Sequence, residues 1–212
     1  MTGDTLTTRL QIMLEMQDEM NKQIDIDWLD KAREWHRAIW IECGELMEHH
    51  GGWKWWKMSE PDVHQVMLEI VDIWHFGMST RITVERNFEE VAKEMAAEWN
   101  RPNESQGFLL DVEDLASVAL VEERFEVSTI PLLLGQINRE FDDLYRAYIG
   151  KNVLNGFRQD HGYRDGSYEK IWQGREDNEH LSEILLELDS NSVEFRDHIY
   201  RELKERYSRS VI

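Results

Sequence analysis

Leu6, Leu10, Met13, Leu14, Gln17 and Asn21 stand at the three- and four-residue intervals that place side chains on one face of an α-helix. Leu, Met, Glu, Lys and Arg recur at the same intervals along the rest of the chain. Only three prolines interrupt its 212 residues. A helix tolerates little proline because the ring removes an amide donor and clashes with the preceding turn. Strand signals, by contrast, are weak, so the pattern predicts an all-α fold.

The first helix is expected over residues 5–24, with the amides of Gln17 and Asn21 continuing its apolar stripe. A second is expected from about residue 29, with Ala32, Trp35, Ile39 and Leu46 toward the core and Gly51-Gly52 as its end. Ser59-Glu60-Pro61-Asp62 supplies the polar start of a third, in which Val66, Ile70 and Ile73 face the core. Further helical patterns cover about 85–99, 111–125, 131–149, 179–188 and 192–207, the last following Asp189-Ser190-Asn191. The run 101–107 is a loop too short to establish a domain boundary, so a single domain over 1–212 is expected. Residues 150–178, with Gly150, Gly156, Gly162, Gly166 and Gly174, read as a functional loop region.

Forty-three acids against 24 Lys and Arg give a formal charge of −19, which opposes passive binding to nucleic acid or to anionic membranes. An anionic substrate would therefore need a locally basic site. The single cysteine, Cys43, excludes an intrachain disulfide framework and fits a reducing compartment. The first residues, Met1-Thr2-Gly3-Asp4-Thr5, lack a basic region followed by an apolar stretch, and no run of about 20 apolar residues occurs. A cytoplasmic location is expected.

Two carboxylate pairs of equal spacing, Glu42-x-x-Glu45 and Glu69-x-x-Asp72, flank Gly51-Gly52-Trp53-Lys54-Trp55-Trp56-Lys57. Residues three apart share a helix face, so two such helices facing each other would gather four acids. A like-charged pair disfavours a helix by roughly 0.2–0.5 kcal/mol even in water, and desolvating four together is far more unfavourable without a cation. Oxygen donors alone favour Mg²⁺ or Mn²⁺ over zinc. Such ions bind phosphate oxygens and acidify water, which describes phosphoanhydride hydrolysis. Asp72-x-x-His75 also partly fits a di-iron carboxylate bundle, but no second such motif with histidine accompanies it. Acid pairs are common on solvated faces, and an acidic surface that binds a basic protein or mimics DNA, or a purely structural bundle, are the non-enzymatic alternatives.

The ordered set Glu42-Cys43-Gly44-Glu45-Leu46, Trp53-Lys54-Trp55-Trp56-Lys57 and Glu69-Ile70-Val71-Asp72-Ile73-Trp74-His75-Phe76 resembles the dimeric, all-α dUTP pyrophosphatases. Lys151-Asn152-Val153-Leu154-Asn155-Gly156-Phe157-Arg158-Gln159-Asp160-His161-Gly162-Tyr163, followed by Gly166, Tyr168, Lys170, Ile171 and Trp172, resembles that family's downstream phosphate-contact motif. Gln17-Asp18-Glu19-Met20-Asn21 is similar to its uracil-side motif.

The resemblance implies a homodimer that hydrolyses dUTP, and dUDP, with Mg²⁺ or Mn²⁺. Glu42, Glu45, Glu69 and Asp72 would hold metal, with Glu45 and Glu42 as catalytic carboxylates and Glu45 the first choice to orient or deprotonate water. Lys54, Lys57, Lys151, Asn155, Arg158 and Tyr163 would contact phosphate, and Gln17, Asn21, Trp55, His75 and Phe76 would form the base and sugar pocket. Gly156 and His161 stand where the family pattern calls for a basic residue and an asparagine, and the turn Glu48-His49-His50-Gly51-Gly52 is slightly long. None of these departures touches the four acids. A related enzyme acting on dCTP is the enzymatic alternative.

Overall fold

The computed structural model describes residues 3–190, 192 and 194–208. Met1, Thr2 and Asn191, which entered the readings of the first residues and of the last helix break, lie outside them. Among the described residues the chain is helical apart from one short hairpin, and it divides into two compact units, 1–145 and 146–212. No helix among those residues is long and apolar enough to cross a membrane.

The first unit contains α1 (Gly3–Ile24), α2 (Trp35–His50), α3 (Val63–Val84), α4 (Phe88–Trp99), α5 (Phe108–Glu122) and α6 (Ile130–Gln136), and α7 (Phe141–Asp160) begins in it. Helix α2 packs against α3 and α5, while α1 packs against α4 and α3. Val66, Ile70, Ile73, Trp74 and Met78 of α3 are wholly buried, together with Leu10, Met13 and Leu14 of α1 and Ile39 and Leu46 of α2. Asp62 caps the start of α3 as predicted, its side chain accepting from the Gln65 amide at 3.1 Å, with Pro61 immediately before the cap. Gly51 ends α2 at φ 72°, and a Cβ there would come within 2.4 Å of Ser59 Oγ. Both the left-handed backbone and the close approach of Ser59 therefore favour glycine.

Gly77 has a different reason. A Cβ on it would stand 2.5 Å from the ring of Phe125, which is fully buried and lies edge-on to Trp74 at 5.6 Å. Gly77→Ala is expected to lose about 1–3 kcal/mol of stability through overpacking, even though alanine is the better helix former. A urea titration of the variant that matched the wild type would contradict this packing.

Three boundaries differ from the sequence expectations. The second helix begins at Trp35, not near 29, after a short 3-10 turn at Trp28–Asp30. Asp25 accepts from Lys31 at 2.8 Å and from Arg33 at 2.5 Å, and Ala32 is exposed with φ 40° instead of lying in the core. The helix expected over 131–149 is broken between Gln136 and Phe141. There Asn138 adopts φ 56°, its N–H donates to Gly135 O at 3.2 Å, and Arg139 N–H donates to Leu134 O at 2.9 Å. That is a Schellman ending with asparagine in the left-handed position. Third, the expected loop over 150–178 is helical to Asp160, with Gly150 and Gly156 inside α7. Gly150 serves packing, because a Cβ there would meet Leu185 at 2.7 Å and Leu181 at 3.2 Å.

The second unit continues α7 into the hairpin β1 (Ile171–Trp172) and β2 (Arg175–Glu176), then α8 (Asp177–Glu187) and α9 (Phe195–Ser208). Gln173 and Gly174, both at positive φ, form the two-residue turn that such a hairpin needs. Phe157 and Trp172 are fully buried there, with Tyr200 and Tyr207 edge-on to Phe157 at 5.4 and 5.5 Å.

Candidate active site

On α2, Glu42, Glu45 and His49 recur at i, i+3 and i+7, and on α3 Glu69, Asp72 and Phe76 do the same. Each set therefore forms one stripe, and the packing of α2 on α3 brings the two together. One ligand oxygen from each of Glu42, Glu69 and Asp72 can be chosen so that all lie within 4.8 Å of one another. Glu69 is buried, Glu42 and Asp72 are half-buried, and Glu45 is exposed at the edge, close enough for its charge to act on Glu42 and Glu69. The structure thus gathers three of the four sequence-picked acids and leaves the fourth facing solvent.

The electrostatics follow from that crowding. Burial, then the charges of Asp72, Glu69 and Glu45, push the Glu42 carboxyl up from 4.5 to about 8, and its proton is donated to Glu69. Glu69 is also raised, by burial and Asp72, against the opposing effects of the Glu42 hydrogen bond and His49. Burial likewise lifts the Cys43 thiol to about 12, which makes it an inert packing group and not a ligand. Three convergent carboxylates, two of them raised by burial and mutual charge, form a hard oxygen donor set suited to a divalent cation.

A pH dependence results. Between about 4.5 and 8 the folded chain holds a proton on Glu42 that the unfolded chain has released, so stability without metal falls as pH rises through that window. The lowered carboxyls of Asp25 and Glu183, each near 2, act below it. The melting temperature in chelator is expected to decrease from pH 5 toward pH 8. A melting temperature that climbs across this range would show that Glu42 ionises freely in the fold.

One face of the same α3 stripe carries a buried polar chain. Gln17 Oε1 lies 2.7 Å from His75 Nδ1, Gln17 Nε2 donates to Asn21 Oδ1 at 3.1 Å, and Asn21 Nδ2 donates to Ser79 Oγ at 2.9 Å. All four residues are buried. Phe76 is half-buried and stacks on Trp35 at 6.3 Å. Trp55 is not gathered with them, since it is 90 % exposed in the loop after α2, beside the exposed Trp56 and Met58. In that loop Lys54 pairs with Glu48 and lies over the Trp53 ring at 4.9 Å, and Lys57 is exposed.

In the second unit the phosphate-motif residues occupy the last turns of α7 and the segment after it. Arg158 donates from Nε and Nη2 to both oxygens of Asp177, each at 2.8 Å, and from Nη1 to Asn155 at 3.0 Å. Lys151 is buried, Asn155 half-buried, and the exposed Tyr163 ring lies 5.5 Å from the Lys170 ammonium. His161, where the resemblance calls for asparagine, stacks on Phe157 at 3.9 Å and contacts its carbonyl through Nδ1 at 2.7 Å. At Gly156 a Cβ would enter open space, so packing does not demand glycine there.

Residues 9–163 match the family model described as dUTPase, a span that includes both acid pairs, the Lys/Trp loop and the α7 motif. The chain belongs to the dUTPase family. A search of curated proteins gave no match. The chain is thus an all-α dUTP diphosphatase, an enzyme of a family that acts on a nucleotide and uses a divalent metal. In this dUTPase a cavity of about 690 Å³ lined by Arg9, Trp99, Pro131, Arg139 and Phe141 contains none of the residues expected to hold metal, phosphate or base. The acid cluster, not that cavity, concentrates the charge that a divalent cation would neutralise.

Three site-adjacent residues escaped the sequence reading. Ser79 completes the buried chain and was signalled by its place one turn beyond His75. Trp35 was read as core, yet it is half-buried, stacks on Phe76 and lines a pocket of about 230 Å³ with Thr80 and Thr83. His49 extends the acid stripe of α2, and its i+7 spacing from Glu42 was available in the sequence.

Proposed function

We propose that this chain hydrolyses dUTP to dUMP and pyrophosphate, and dUDP to dUMP and phosphate, with Mg²⁺ or Mn²⁺, as a cytoplasmic homodimer that limits uracil incorporation into DNA. The observation that carries the proposal is the convergence of Glu42, Glu69 and Asp72 within the family-matched span. The match crosses the boundary between the two units, which supports treating 1–212 as one catalytic domain. A second copy covering the exposed Trp55, Trp56 and Met58 would explain why so large an apolar group faces outward.

Glu42, Glu45, Glu69 and Asp72 would hold the metal. When bound, a divalent cation supplies neutralisation of phosphate charge and acidification of water. Glu45, exposed at the cluster's edge, would orient water or accept its proton, with Glu42 as the second catalytic carboxylate. Lys54, Lys57, Lys151, Asn155, Arg158 and Tyr163 would bind phosphate oxygens, Arg158 through N–H groups beyond those given to Asp177. The amides of Gln17 and Asn21 would read the uracil edge, and His75, Phe76 and Trp55 would border the base and sugar. The hydrogen bonds among Gln17, His75, Asn21 and Ser79 support this by fixing which amide atoms donate.

The test incubates purified protein and Glu45→Gln with Mg²⁺ and dUTP, dCTP, dTTP or UTP, resolving products by chromatography. Selective formation of dUMP and pyrophosphate, lost in the variant, is expected. Preference for dCTP would keep the reaction and remove the uracil assignment, whereas no hydrolysis by a folded protein would leave an acidic binding module.

A further inference from the structure

We propose that His49 is a nitrogen ligand of this chain's metal centre, sharing a cation with Glu69 and tilting the site toward Mn²⁺ relative to Mg²⁺. This rests on the metal-site reading above and goes beyond its all-oxygen donor set. His49 occupies the last turn of α2 on the stripe of Glu42 and Glu45, and its Nε2 stands 3.5 Å from Glu69 Oε1. That separation is long for a strong N–H···O bond. Two donors bound to one ion at right angles, with bonds of about 2.1 Å, would lie about 3 Å apart, so the imidazole and the carboxylate need to close by only about 0.5 Å.

The placement is built into the backbone. Asp62, which caps α3, donates its N–H to the His49 carbonyl at 2.9 Å, so the end of α2 is tied to the start of the helix that carries Glu69. One residue further, His50 turns to the other side, stacking on Phe108 of α5 at 3.8 Å with Nδ1 on the Gly51 carbonyl. His75, three residues beyond Asp72, turns its Nδ1 to Gln17 of α1 at 2.7 Å. His49 presents a ring nitrogen to an acid of the cluster, at 36 % side-chain exposure. Imidazole binds Mn²⁺ more readily than Mg²⁺, which prefers oxygen and water.

The experiment loads the full-length protein with Mn²⁺ and records electron spin-echo modulation from directly coordinated ¹⁴N, with Mn²⁺ and Mg²⁺ affinities measured by calorimetry. Wild type is expected to show the nitrogen coupling. His49→Ala and His49→Gln, each confirmed folded by circular dichroism, are expected to lose it and to bind Mn²⁺ about 10-fold more weakly, with Mg²⁺ affinity little changed. Mn²⁺ bound without nitrogen coupling in wild type would overturn the His49 assignment and leave the carboxylate centre standing, provided Glu69→Gln still abolished binding. A coupling that survives in both His49 variants would belong to another histidine and would equally overturn it. Wild-type protein that fails to bind Mn²⁺ at all would overturn both readings.

Discussion

Glu42→Gln is expected to lower kcat/KM for dUTP at saturating Mg²⁺ by at least about 100-fold while leaving the metal-free fold as stable as the wild type, or more so near pH 8. The two effects diverge because the folded protein already holds Glu42 protonated at neutral pH, its carboxyl raised to about 8. A glutamine amide has nearly the same shape, carries no charge and can donate to Glu69 as the protonated carboxyl does. Without metal, little changes except that the penalty of ionising a crowded acid disappears. With metal, the site loses an anionic oxygen donor that glutamine cannot replace, and the factor of 100 corresponds to about 2.7 kcal/mol of transition-state stabilisation. Melting curves with and without Mg²⁺, read beside the kinetics, separate these contributions. If the variant kept both its turnover and the Mg²⁺-dependent rise in melting temperature, the acids would be a solvated face and not a metal centre.

Asp177→Ala is expected to destabilise the chain by about 3–5 kcal/mol. Asp177 is 1 % exposed and accepts from Arg158 twice at 2.8 Å and from the Tyr168 hydroxyl at 2.9 Å. Its removal leaves a nearly buried guanidinium without its counter-charge, a state that costs far more than the pair contributes when intact. Replacing both partners by apolar residues of similar volume should recover much of the loss. The measurement is urea unfolding followed by near-ultraviolet circular dichroism, which the buried Trp172 and Tyr168 make sensitive to this unit. A variant of unchanged stability but raised KM for dUTP would mean that Arg158 serves the phosphate chain and that Asp177 merely tethers it. The expected outcome is that stability carries most of the effect.

The helical class, the caps at Asp62 and Gly51 and the stripe formed within each acid motif were legible in the sequence, because each depends on neighbours within one or two turns. A stripe at i, i+3 and i+7 is a property of helical geometry alone, and α2 and α3 obey it wherever they pack. Errors arose where a local signal met a distant partner. Gly150 and Gly156 read as helix breakers, but both lie inside α7; at Gly150 Leu181 and Leu185 press against the backbone, and no local pattern reveals that pressure. Asn138 could have marked the break after α6, since asparagine tolerates the left-handed conformation of a helix end. Ala32 could not have been read as exposed, because its position depends on ion pairs between Asp25, Lys31 and Arg33.

Chemistry divides along the same line. The sequence by itself determined the donor types, their spacing and the family to which they belong, since residue identity and helical period suffice for those. Tertiary structure alone decided that three acids converge while Glu45 faces solvent, that Glu42 holds its proton near neutral pH, and that Arg158 is committed to Asp177. Burial and charge proximity set each of these, and both depend on which faces of different helices meet. Helical periodicity fixes the direction of a side chain from its own axis and carries no information about what stands opposite.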